Sequence, residues 1–127
     1  MGEGTKPIIY IVDDDESVLR AMKRLISSMD MDVQTFASGR KFLDSGYRDQ
    51  NACLIVDVKM PGMSGMELQQ KLVAKGSKLP VVFVTAFDTE EVRDGAKKAG
   101  AAGYFRKPVD DQALLDSIQW ALSNQPS

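Results

Sequence analysis

The 127-residue chain contains no histidine. That absence removes the commonest general base and a common metal ligand, and it excludes a phosphohistidine carrier. A single cysteine, Cys53, excludes an internal disulfide; lying inside an apolar run, it reads as a small core residue. No apolar stretch is long enough to cross a membrane, and Met1-Gly2-Glu3-Gly4-Thr5-Lys6 lacks the apolar core of a signal peptide. The expectation is therefore a cytoplasmic protein with no membrane partner. Basic residues do not dominate either. Sixteen Lys and Arg stand against 18 Asp and Glu, so nothing suggests the positive field of a nucleic-acid binder. Repeats and low-complexity segments are missing as well. With 43% hydrophobic and 27% charged residues, the chain suits a single domain over residues 1–127. Its core is expected at about 6–123, with residues 1–5 and 124–127 loose.

What is present is a series of short apolar runs, each followed by a helical pattern. Residues 7–12 form a β-branched first strand. After Asp13-Asp14-Asp15-Glu16 comes a helix whose buried stripe is read as Val18, Met22, Leu25 and Met29. Residues 31–36 alternate like an edge strand, and Ser38 caps a short helix running to about Ser45 before Gly46. Ala52-Cys53-Leu54-Ile55-Val56-Asp57 is apolar until its last residue, as in a strand buried on both faces. Ser64-Gly65-Met66-Glu67 is a capping box opening a helix to about Lys75. Residues 80–85 form a strand ending on Thr85, and Asp88-Thr89-Glu90-Glu91 repeats the capping-box spacing before a helix to about Ala99. A short strand over 102–105 leads to Lys107-Pro108. Asp110 or Asp111 then opens a last helix with Leu114, Ile118, Ala121 and Leu122 inward. Five β-α units predict an α/β, doubly wound five-stranded parallel sheet.

In such a fold ligands sit outside the carboxyl edge of the sheet. That edge would receive Asp13 and Asp14 from the first strand, Asp57 from the third, Thr85 from the fourth and Lys107 from the fifth. Helix capping and the macrodipole account for Asp15 and Glu16. They account less well for Asp13 and Asp14, which precede the helix. Three facing carboxylates repel unless a proton or cation relieves them. Mg²⁺ suits the position, because it binds one or two carboxylates, keeps waters and accepts a phosphoryl oxygen. Thr85 as hydroxyl donor and Lys107 as point charge would face the same anion.

Val12-Asp13-Asp14-Asp15, Asp57 with Met60-Pro61-Gly62-Met63-Ser64-Gly65, Thr85-Ala86 and Lys107-Pro108 together resemble the receiver domains of bacterial two-component response regulators. The resemblance covers about residues 6–123. Residues 79–86 and 107–115 look most like receivers of the FixJ type, which usually precede a LuxR-type helix-turn-helix domain. The chain is thus a stand-alone receiver or a trimmed piece of a transcriptional regulator. The resemblance implies a flavodoxin-like fold with strand order 2-1-3-4-5 and a cis Lys107–Pro108 bond. It implies that Asp57 is the phosphoacceptor, served by a partner histidine kinase. Asp14, Asp57 and the Lys59 backbone carbonyl would bind Mg²⁺ directly, and Asp13 through water. Thr85 and Lys107 would hold phosphoryl oxygens, and Thr85 with Tyr104 would form the switch. Lys59 and Phe87 match positions beside the route of attacking water, where their bulk would slow phosphoryl loss; equally, both could simply point into solvent or pack nearby. Met60, Met63 and Met66 read as flexible packing beside the loop.

Two other readings compete. A haloacid-dehalogenase-type phosphatase would use Asp13 as nucleophile and Asp15 as acid-base, but the chain is short for one and Asp57 would be idle. A flavodoxin-like flavin binder needs a first loop that cradles phosphate, and four acids there repel it. Finally, Arg93, Lys97 and Lys98 on the fourth helix complement Asp110, Asp111 and Asp116 at the fifth. A two-fold interface must complement itself, which points to a phosphorylation-dependent homodimer.

Overall fold

Three strands carry apolar side chains on both faces, and the rest of the chain is arranged to cover them. In the computed structural model, which describes residues 6–125, these are β1 (Ile8–Val12), β3 (Ala52–Asp57) and β4 (Val81–Thr85), buried at every position. The partly exposed strands β2 (Asp32–Phe36) and β5 (Gly103–Arg106) take the edges. All pairings are parallel and the order is β2-β1-β3-β4-β5. Parallel neighbours need crossovers. These are α1 (Glu16–Ser27), α2 (Gly39–Leu43), α3 (Gly65–Ala74) and α4 (Glu90–Lys98), with α5 (Asp111–Ser123) closing the fold.

The two-residue period of a strand sends successive side chains to opposite faces. Tyr10, Leu54 and Phe83 join one core with Phe42, Leu68 and Leu72. Ile9, Ile55 and Val82 join the other with Ile26, Leu114 and Ile118. Each fully buried Leu, Ile or Phe contributes about 1.5–3 kcal/mol of transfer free energy, so both faces anchor the sheet. Cys53 is fully buried, and loss of solvent pushes its thiol up to about 12, which leaves it an inert core residue. Met60, Met63 and Met66 pack against the first core, as expected of flexible fillers.

Several local expectations shift. The buried stripe of α1 is Leu19, Met22 and Ile26; Val18 and Leu25 are half-buried and Met29 lies exposed beyond the helix. Both stripes have helical spacing, and packing against Ile9 and Ile11 decides the rotation. On α5, Leu115 is buried while Leu122 is half-buried. Thr89, not Asp88, caps α4, its hydroxyl accepting from Val92 N–H at 3.1 Å. Ser38, Ser64 and Asp110 cap as read, Ser64 in a full capping box with Glu67. Asn124 and Gln125, expected to be loose, are tied in. The Asn124 amide donates to Trp120 O at 2.8 Å, and the Gln125 amide donates to Asp49 O. Residues 1–5, 126 and 127 lie outside the described residues. Among the described residues no helix is long and apolar enough to cross a membrane.

Candidate functional site

Strand geometry brings the site residues to one edge. Asp57 ends β3 in register with Val84, and Val58 N–H continues the ladder to Val84 O at 3.1 Å. Thr85 ends β4 opposite Arg106, and Lys107 N–H donates back to Thr85 O at 2.8 Å. Asp13 follows β1, its N–H held by Phe36 O at 3.1 Å. Every acid, hydroxyl or amine named from the strand ends therefore arrives at the carboxyl edge, where doubly wound sheets place ligands.

Lys107 organises the acids. Its Nζ donates to Asp13 Oδ2 at 2.9 Å and to Asp57 Oδ2 at 3.1 Å. The Lys107–Pro108 bond that follows is cis, as the resemblance implied. Asp13 is 1% exposed and its other oxygen accepts from Asp15 N–H at 2.9 Å. Asp57 is also buried, with Oδ1 accepting a longer bond from Lys59 N–H at 3.3 Å. Burial raises the Asp57 carboxyl above the usual aspartate range, the Asp13 charge adds to this, and the Lys107 hydrogen bond opposes it. Burial works against the Lys107 charge, but the bonds and charges of Asp13 and Asp57 outweigh it and hold the ammonium above its ordinary value.

Asp14 is exposed, yet one of its oxygens lies within 4.8 Å of oxygens from both Asp13 and Asp57. Three hard oxygen donors converging around one amine leave a negative excess. This fits a small divalent cation such as Mg²⁺. Asp15 stands apart: Ser17 Oγ and N–H donate to its Oδ1 at 2.6 and 2.9 Å, and these bonds lower its pKa. It is the N-cap of α1.

Thr85 is fully buried, and its hydroxyl oxygen accepts from Phe87 N–H at 2.8 Å. Lys59 and Phe87, read as flanking the water route or else facing solvent or packing nearby, meet each other. The Lys59 ammonium lies 4.8 Å from the centre of the Phe87 ring, a cation–π contact joining the loops after β3 and β4. Tyr104 is half-buried against the first core, and its hydroxyl donates to Asp88 Oδ1 at 3.1 Å.

Two residues carry more than their motifs suggested. Gly65, the first residue of α3, donates to Val58 O at 2.9 Å, and a Cβ there would overlap the Asp57 carbonyl oxygen. Only glycine lets the helix start sit this close to the acceptor strand. Asp88, read as a cap, accepts from both Tyr104 and Arg93. Its position just before Thr89 was the available signal, since two adjacent cap-type residues cannot both cap one helix.

Comparison with known proteins agrees with this geometry. Residues 9–119 match the family model described as the response regulator receiver domain. The transcriptional regulatory protein TdiR of Thauera aromatica is 37% identical over 120 residues, covering 94% of this chain and 53% of that protein. The structure of the response regulator StyR aligns with TM-score 0.85 and 42% identity over 95% of this chain and 61% of StyR. The crystal structure of FixJ-N aligns with TM-score 0.87 and 27% identity, covering 97% and 98% of the two chains. The chain spans about half the length of the curated relatives it matches.

Proposed function

The chain belongs to the family of response regulator receiver domains, a signalling family, and on that premise we propose that Asp57 accepts a phosphoryl group from a histidine kinase. The observation that carries this reading is the convergence of Asp13, Asp14, Asp57 and Lys107 at one sheet edge. In the reaction the P–N bond of the kinase phosphohistidine breaks as an Asp57 Oδ–P bond forms. Asp14, Asp57 and the Lys59 carbonyl would hold Mg²⁺, with Asp13 acting through water. The ion would neutralise charge on the acids and on the incoming phosphoryl oxygens. Lys107 exchanges its contact with Asp57 Oδ2 for a phosphoryl oxygen. Thr85 donates its hydroxyl proton to another.

Asp57 suits the role of nucleophile better than Asp13. Each acid has one oxygen on Lys107 and the other on a backbone N–H, but the bonds to Asp57 are longer, 3.1 and 3.3 Å against 2.9 and 2.9 Å for Asp13, and Asp57 is less enclosed, 7% exposed against 1%. An apolar groove beside Lys107, lined by Val18, Ala21, Met22 and Leu25 of α1 and by Pro108, Val109 and Leu114, offers a kinase helix a seat next to the acceptor. The domain is read as one unit over residues 1–127 serving a transcriptional regulator. Phosphorylation would promote self-association through α4, β5 and α5, with Lys97 and Lys98 facing Asp110, Asp111 and Asp116 of a second copy. Arg93 belongs to this face but is paired with its own Asp88, so it joins only when released.

Incubation with acetyl phosphate and Mg²⁺ tests the acceptor. The wild type should gain one base-labile phosphoryl group and Asp57→Asn none. A stoichiometric acyl phosphate on the variant would move the acceptor elsewhere. Sedimentation with and without a phosphoryl mimic tests association, and a phosphorylated form that stays monomeric at low salt and high concentration refutes it.

A further inference from the structure

We propose that Asp88 is a latch that holds Tyr104 and the start of α4 in the resting arrangement and must release them for the domain to switch. The inference rests on the reading of Asp57, Thr85 and Tyr104 given above.

Asp88 lies in the short link between Thr85 and the α4 cap. Because Thr89 supplies the cap, the Asp88 carboxylate is free for other partners. Two donors converge on its Oδ1: the Tyr104 hydroxyl at 3.1 Å and Arg93 Nε at 2.9 Å. The Asp88 side chain is 22% exposed against 58% for Arg93, so the carboxylate sits inside the pair. One oxygen thereby ties three segments together: the β4–α4 link, the first turns of α4, and β5.

The same link carries Thr85 and Phe87. In the resting state the Thr85 hydroxyl oxygen accepts from Phe87 N–H at 2.8 Å, which ties Thr85 to the link. The hydroxyl keeps its own proton to donate while it accepts from Phe87 N–H, so a Thr85 drawn toward a phosphoryl oxygen draws the residues after it along. Asp88, three residues on, cannot keep both its partners while the link is displaced. Tyr104 is then left with an unpaired hydroxyl on a ring already packed against the first core, and it is free to turn. Linkage makes the effect reciprocal: whatever stabilises the Asp88 contacts opposes phosphorylation, and phosphorylation weakens them. Release also frees the Arg93 guanidinium for an acidic partner on a second copy.

One net hydrogen bond present in only one of two states biases the equilibrium roughly three- to tenfold. The test is titration of the unphosphorylated protein with beryllofluoride and Mg²⁺, a stable phosphoryl mimic, followed by amide NMR at Ala86 and Tyr104. Tyr104→Phe should bind the mimic about three- to tenfold more tightly, the gain expected from losing one such bond, and Asp88→Ala, which loses the Arg93 bond as well, at least as tightly as that. Their unliganded amide signals should move part-way toward the bound positions. The double variant should match Asp88→Ala, since the contact Tyr104→Phe removes is already lost there. Tyr104→Phe removes a single oxygen, so it decides the matter if Asp88→Ala fails to fold. Wild-type affinity with unmoved signals in the variants, or effects that multiply in the double variant, would overturn the latch. A wild-type protein that does not bind the mimic would instead overturn the acceptor reading beneath it.

Discussion

Gly65 and Gly95 lie at the start of α3 and within α4, and the same substitution should have opposite effects at the two positions. At Gly65 a Cβ would overlap the Asp57 carbonyl oxygen and lie 3.1 Å from its carbon and 3.2 Å from Val58 Cα. All three are backbone atoms, so no side chain can swing aside. Relief requires α3 to back away from β3, which strains the Gly65 N–H to Val58 O bond of 2.9 Å. Overpacking of this kind costs about 1–3 kcal/mol, and a weakened hydrogen bond adds about 1 kcal/mol. The helical preference of alanine returns less than about 1 kcal/mol. Gly65→Ala should therefore destabilise the fold by about 1–3 kcal/mol, the balance of those contributions. At Gly95 the nearest atom to a new Cβ is Met66 Cε at 3.7 Å, an ordinary contact with a flexible side chain. Gly95→Ala should stabilise by about 0.5–1 kcal/mol through reduced chain entropy in the unfolded state. Urea unfolding followed by far-UV circular dichroism measures both. Mg²⁺ affinity should fall in Gly65→Ala alone, because the displaced backbone belongs to Asp57. Stabilisation by both substitutions, or unchanged Mg²⁺ binding in a destabilised Gly65→Ala, would refute the steric argument.

Other substitutions probe the acids and the mouth of the site. Asp14→Ala removes an exposed carboxylate from the cluster, so Mg²⁺ affinity in a fluorescence or calorimetric titration should drop at least tenfold, about 1.4 kcal/mol. The apo fold should be no less stable, since a repelling charge is lost. Lys107→Ala should retain Mg²⁺ binding, because the ammonium competes for the same oxygens, while the NMR response to beryllofluoride is lost. Phe87→Ala removes the cation–π contact to Lys59 and opens the approach to Asp57, so the phosphoryl group should hydrolyse several-fold faster in a radiolabel decay assay. In metal-free protein the raised Asp57 carboxyl has a stability consequence of definite sign. The folded state holds that proton more tightly than the unfolded one, so this contribution to stability falls as pH rises from the ordinary aspartate range through the raised folded value. Asp57→Asn should flatten that part of the pH–stability curve measured by urea unfolding.

The strands and the residues at their ends were legible in the sequence because both are local. Apolar runs such as Cys53–Val56 can be satisfied only between two covering layers, and the residue that ends each run must emerge at the sheet edge. The sequence order alone thus gathers Asp13, Asp57, Thr85 and Lys107. What the tertiary structure decided were choices between local equals. Two apolar stripes share α1 at helical spacing, and contact with the sheet selected Leu19 and Ile26 over Val18 and Leu25, which line the groove instead. Asp88 and Thr89 are both good caps; Thr89 took the helix, while Tyr104, sixteen residues away, took Asp88. Lys107 could have faced any anion, and it bridges the two acids that folding placed 94 and 50 residues from it in the chain. Local preferences separate such alternatives by less than about 1 kcal/mol. One long-range hydrogen bond or one buried side chain is worth as much or more, so partners distant in sequence settle them.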